Sequence, residues 1–196
     1  MAKGANDVIL RDRLQFDVDA TGDTALVYGR IDLSDYVSIV ENKGLAIKEV
    51  RFMLRDPNRL TGQMPTVLGN ISGPGTVATE ESQIKIFATT TAYELVTDVG
   101  IASPNVLCVY DVGQTAIYKG TDSGTITSHR EFYGTPDLHP EGYDVVTDLL
   151  IGIACDGLTN TVLVSETLEL DVMLIAEPKK ITQKDLTQML TQAQDL

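Results

Sequence analysis

Alternation of apolar and polar residues along this chain marks out strands, with a helical period only at the end. Ile47–Leu54 is the clearest strand: Val50, Phe52 and Leu54 share one face, Arg51 and Arg55 the other, and Asp56, Pro57 and Asn58 end it as a turn. Glu166–Ala176 repeats the pattern, with Leu168, Leu170, Val172 and Leu174 opposite Glu169, Asp171 and Met173. Thr24–Leu33, preceded by a turn-rich stretch over 17–23, reads as a first core strand. Gln83–Thr91, Tyr93–Val99 and Asn105–Val112 read as three more. Gly113 and Gln114 are expected to turn the chain into a short run at Thr115–Tyr118, and Tyr143–Cys155 pairs with the last strand across a turn at 156–160.

Two stretches resist any periodic assignment. Asn58–Ser82 and Lys119–Gly142 are dense in glycine and proline and are expected to be long loops. Residues 1–15 mix Lys3, Arg11 and Arg13 with Asp7 and Asp12 around Val8, Ile9 and Leu10, the pattern of an arm or a short strand. At the other end the period changes. Thr182 with Asp185 forms a capping box, Ile181 and Leu186 a hydrophobic staple, and Leu186, Met189, Leu190 and Ala193 fall on one helical stripe, with Pro178 separating this helix from the last strand.

The expected organisation is an N-terminal arm (1–23), an antiparallel β-sandwich (24–178) and a short C-terminal amphipathic helix (179–196). About eight to ten strands suffice for two packed sheets, with a jelly roll the favoured winding. A length of 196 residues suits one such domain. With 43% hydrophobic residues, 6% aromatic and no tryptophan, the core should be aliphatic.

Charge narrows the function. A formal net charge of −13, from 28 acids against 15 bases, repels a phosphate backbone and disfavours direct nucleic-acid binding, while favouring solubility in saline surroundings. The N-terminus lacks the apolar stretch of a secretory signal, and no apolar run reaches bilayer-spanning length, so a soluble chain is expected.

Candidate chemistry is sparse. His129 and His139 flank Glu131 and Glu141, but their spacing matches no zinc pattern, and polar loop residues are the plainer reading. Asp17, Asp19 and Thr21 resemble the opening of a calcium loop whose twelfth position is Tyr28 in place of the required glutamate, so a turn is expected. Gly73, Pro74 and Gly75 lack the lysine of a phosphate cradle, and Asn70-Ile71-Ser72 fits a glycosylation acceptor without a secretion signal beside it. No serine or cysteine stands in a recognisable nucleophile motif. Cys108 and Cys155 lie in apolar runs and read as buried thiols, a disulfide between neighbouring strands being the alternative. No enzyme activity, metal or cofactor is expected.

The layout of strands, two long irregular loops, a last strand over Glu166–Ala176 and a helical tail after Pro178 resembles the single jelly-roll capsid proteins of icosahedral viruses. The resemblance implies two four-stranded sheets, self-association as a homo-oligomer, contacts with other capsid proteins and residence in the virion. Such proteins often carry a basic N-terminal arm against the genome, whereas residues 1–15 hold three bases beside two acids. That departure leaves room for a membrane or another protein between shell and genome. In this reading Leu186, Met189, Leu190 and Ala193 contact a neighbouring subunit, packing on the chain's own domain being the competing role, since a lone short helix must bury its stripe somewhere. The alternative function is a sandwich-type module that binds a carbohydrate or protein through its long loops.

Overall fold

The computed structural model describes residues 6–68, 78–118, 124–133 and 142–192. The strands are β1 (Val8–Asp17), β2 (Thr24–Ile31), β3 (Lys43–Arg55), β4 (Ala78–Thr89), β5 (Val106–Tyr118), β6 (Gly124–Tyr133), β7 (Tyr143–Val145), β8 (Leu149–Asp156) and β9 (Thr167–Lys180), followed by the helix α1 (Gln183–Gln192). They form two antiparallel sheets, ordered β1-β9-β3-β7 and β2-β8-β4-β5-β6. Among the described residues no helix is long and apolar enough to cross a membrane.

Strand pairing shows how the chain is wound. β1 pairs with β9, β2 with β8, β3 with β7 and β4 with β5, as if one long hairpin folded between β4 and β5 had been wrapped into two layers. That nested pairing is the double Greek-key winding of a jelly roll. β6 is an addition to the eight strands it requires, placed at the outer edge of the second sheet.

The core lies between the sheets and is aliphatic. Leu168, Leu170, Val172, Leu174 and Ala176 of β9 point inward at period two, against Ile84, Ile86 and Ala88 of β4 and Ile151 and Ile153 of β8. A second apolar cluster sits on the outside of the five-stranded sheet. Phe87, Val99 and Val109 are buried there beneath the segment joining β4 to β5, with Tyr28 and Tyr93 packed against them.

Several elements differ from the sequence expectation, each for a physical reason. Tyr93–Val99 is not a strand; it carries a short 3-10 turn at Val96–Asp98, because Tyr93, Val96 and Val99 recur every third residue and all face the Phe87 cluster. Gly113 and Gln114 do not turn the chain, since β5 runs straight through them. Gly113 holds no Cβ because the His129 ring occupies that space from the neighbouring strand.

Tyr143–Cys155 is two strands, not one. β7 belongs to the first sheet and β8 to the second, and the corner between them is pinned by Asp148, whose carboxylate accepts from the Leu33 amide at 3.0 Å and from Arg30. The N-terminal stretch holds a full ten-residue strand, β1, in register with β9 throughout.

Pro178 lies inside β9, not beyond it. Among the described residues β1 begins opposite Ala176, so past that point β9 pairs with β3 alone, an edge position of the kind where proline is tolerated. The expected loop 58–82 ends earlier, as β4 starts at Ala78, and the expected loop 119–142 contains all of β6.

The helix start follows the sequence closely. Thr182 Oγ accepts from the Asp185 amide at 3.2 Å and donates to its carboxylate at 2.6 Å, while Ile181 and Leu186 are buried together against Val146. Replacing Thr182 with alanine should remove about 1 kcal/mol of helix stability. The expected result is faster amide exchange over residues 183–187 with an unchanged sandwich.

Candidate functional site: a free edge and an open side

One flank of the sandwich is closed and the other is open. Where β1 and β2 lie at corresponding edges of the two sheets, Leu14 from β1 sits tightly against Gly29 of β2. On the opposite flank β7 is only three residues long, so the second half of β3 lies beyond it, with Phe52 meeting Phe132 of β6 beside a gap that Arg130 of β6 also borders.

That gap is a cavity of about 340 Å³. Its apolar wall includes Phe52, Leu54, Met64, Val67, Ile84 and Tyr110, and its polar groups are Gln63, Gln114 and Arg130. Phe52, Tyr110 and Phe132 form an aromatic triangle beside it, with ring centroids 6.0 to 6.4 Å apart. Phe132 remains 46% exposed, so the triangle extends the apolar surface to the rim.

Gln114 closes the cavity from within. Its Oε1 accepts from the Val67 amide at 2.9 Å and the Leu68 amide at 3.3 Å. The Val67 carbonyl in turn accepts from the Thr159 and Asn160 amides, both at 3.1 Å, which ties the cavity wall to the β8–β9 connection.

β6 forms the rim. Its pairing with β5 runs through ten residues without a bulge, and within 125–133 there is neither glycine nor proline. Ser128, Arg130 and Phe132 share the face turned toward the cavity; Thr127, His129, Glu131 and Tyr133 share the outer face. Across the outer face Lys85, Asp111 and Glu131 stand in one row on β4, β5 and β6. Burial pushes the Asp111 carboxyl above its ordinary range, Lys85 and His129 pull it back, and Glu131 pushes it further up. Glu131 also accepts from the Tyr133 hydroxyl.

The outward face of the other sheet is charged and carries several ion pairs. Arg13 pairs with Asp171 at 2.6 Å, Arg55 with Glu169 at 3.3 Å, and Arg51 with Glu49. Arg13–Asp171 and Arg51–Glu49 are exposed and contribute little stability, whereas Glu169 is only 8% exposed and its pair with Arg55 is partly buried.

Other residues singled out in the sequence fall as follows. His129 and Glu131 are exposed on β6, whereas His139 and Glu141 lie outside the described residues, and among the described residues no group of three His, Cys, Asp or Glu is placed to hold a metal. Asp19 closes a turn: its Oδ1 accepts from the Thr21 and Asp23 amides at 2.8 and 2.9 Å and from the Thr21 hydroxyl, and these bonds hold its carboxyl below the usual range. Gly73, Pro74, Gly75 and the Asn70-Ile71-Ser72 tripeptide lie outside the described residues.

Cys108 and Cys155 are both free and buried, on strands separated by β4, and burial pushes each thiol up to about 12. The disulfide alternative is thereby excluded.

Of the four helix positions, Leu186 is 4% exposed and packs on its own domain against Val146 and Ile181, which removes it from any surface offered to a neighbour. Met189 and Leu190 lie in α1, and Ala193 lies outside the described residues. The sequence alone takes the β6 stretch for loop and gives Gln114 no role beyond a turn. The absence of glycine and proline between Thr125 and Tyr133 was the signal for β6.

No protein-family model matches this chain, and no curated protein matches its sequence. The class is defined by the fold and the surface: a β-sandwich with jelly-roll winding, one closed flank, and one open flank bordered by a long strand that, among the described residues, pairs on one side.

Proposed function

We propose that this chain is a structural subunit that self-assembles into a viral capsid shell. The observation that carries the reading is the winding: β1·β9, β2·β8, β3·β7 and β4·β5 nest in the order used by jelly-roll shell proteins. The same winding serves lectins and other binding domains, so fold alone does not choose between them. What favours assembly is β6, a regular ten-residue strand at a sheet edge, because proteins that stay monomeric shorten, bend or cover such edges.

The proposed subunit works by geometry, not by reaction chemistry. The two sheets give a rigid plate, the closed β1–β2 flank fixes its shape, and the open flank carries apolar and hydrogen-bonding groups to a neighbour. Direct genome contact is not part of the proposal, given the charge of −13. The partners proposed are copies of the chain and other shell proteins, with a membrane beneath the shell compatible with that charge.

Light scattering after size exclusion, with negative-stain images over a range of salt and protein concentration, tests the reading. Discrete oligomers, rings or closed particles are expected, growing with salt as repulsion between acidic copies is screened. A strict monomer under every condition overturns it and moves the assignment to a binding module.

A further inference from the structure

We infer that β6 pairs edge to edge with β6 of a second copy, antiparallel across a two-fold axis, joining two five-stranded sheets into one continuous sheet. This rests on the assembly reading above in taking a second copy as the occupant, and it places the contact on the free edge and not on the helix.

The backbone supplies half of the case. In an antiparallel ladder every second residue of an edge strand directs its N–H and C=O away from its one neighbour. Among the described residues β6 pairs only with β5, and its ladder is unbroken from Gly124 to Tyr133, so a straight row of such groups faces away from β5. The other edges are less suited: β7 is three residues long, β2 is bulged between Thr24 and Val27, β1 carries successive charges at Arg11, Asp12 and Arg13, and β3 beyond β7 carries Glu49, Arg51 and Arg55.

Charge supplies the other half. Two copies at −13 repel, so they must meet where that charge is absent. Residues 124–133 are formally neutral, Arg130 balancing Glu131. Within one chain Glu131 stands directly opposite Asp111, an unfavourable like-charge pair that Lys85, on the far side of Asp111, and His129 offset. The register that sets Glu131 of each copy opposite His129 of the other brings a basic group to the open side of Glu131, twice by symmetry, and sets Thr127 opposite Tyr133. The exposed His129 ring lies back over Gly113 in the single chain and turns about its side-chain torsions to make this contact. In the same register Arg130 lies on the two-fold axis at the cavity mouth, where both exposed guanidiniums can diverge.

Single cysteines placed in turn at Ser128, His129, Arg130, Glu131 and Phe132 test this in the full chain, because Cys108 and Cys155 are buried and do not compete for a short bis-maleimide cross-linker. Circular dichroism checks that each variant folds. Cross-linked dimer should peak at Arg130→Cys and fall several-fold on either side. A peak elsewhere in β6 overturns the His129–Glu131 register. Undiminished assembly with no cross-linking at any of the five positions overturns the edge contact and leaves the shell reading standing. A dimer cross-linked at β6 that never grows larger does the reverse.

Discussion

Phe87→Ala should destabilise the sandwich by about 3–5 kcal/mol, the range for removing a fully buried aromatic ring. Phe87 is 0% exposed although it points away from the main core. Its ring meets Tyr28 edge-on at 5.9 Å, over Gly152, where any Cβ would collide with it. Tyr28 in turn accepts from the Tyr93 amide at 2.7 Å and donates to its carbonyl at 3.1 Å, and Lys85 donates to the Val99 carbonyl at 2.9 Å. The ring is thus the floor on which the 90–105 segment is strapped. Denaturant titration reads the loss, and limited proteolysis should cut between Tyr93 and Val99 before the sheets unfold. Cutting elsewhere first would show that the strap is held by its hydrogen bonds and not by the ring.

How far the fold was legible depends on whether each strand faces a core on one side and water on the other. β3 and β9 do, and their alternation appears directly in the sequence as Val50, Phe52, Leu54 and Leu168, Leu170, Val172, Leu174. β1 lies at a sheet edge, where Asp12 stays exposed on the inward side beside Arg11 and Arg13, so its alternation is blurred. β6 borders a cavity instead of a packed core, which leaves Ser128 and Arg130 where apolar residues would otherwise mark the inner face. The break between β7 and β8 is invisible because Val145, Val146 and Leu149 are buried on both sides of the corner, and only Asp148 reveals it, through partners more than a hundred residues away.

The surface was less legible than the fold for a related reason. A capping box and staple are local, so Thr182, Asp185, Ile181 and Leu186 announce the helix start. Which face of that helix is covered depends on Val146, which the chain brings there only through the jelly-roll winding. Edge status is likewise a property of topology: nothing within residues 124–133 states that β5 is their only neighbour among the described strands.

Gln114→Leu should cost about 2–5 kcal/mol, near the effect of Phe87→Ala but through a different mechanism. Leucine is similar in size, so packing is largely kept, while the Val67 and Leu68 amides lose their acceptor in a buried place. Each unsatisfied buried N–H costs about 1–3 kcal/mol. The chain can escape that penalty only by releasing the 63–68 segment to water, which widens the cavity and frees the Val67 carbonyl from Thr159 and Asn160. Hydrogen exchange should therefore rise at residues 63–68 and 157–160 together, while β6 keeps its pairing with β5. Gln114→Glu separates the two effects: its carboxylate retains an acceptor for both amides and should restore much of the protection that leucine removes. If both variants lose protection equally, the hydrogen bonds are not what holds this wall. If neither does, the wall is held by Val67 and Leu68 packing alone, and the open flank is more rigid than its bonding implies.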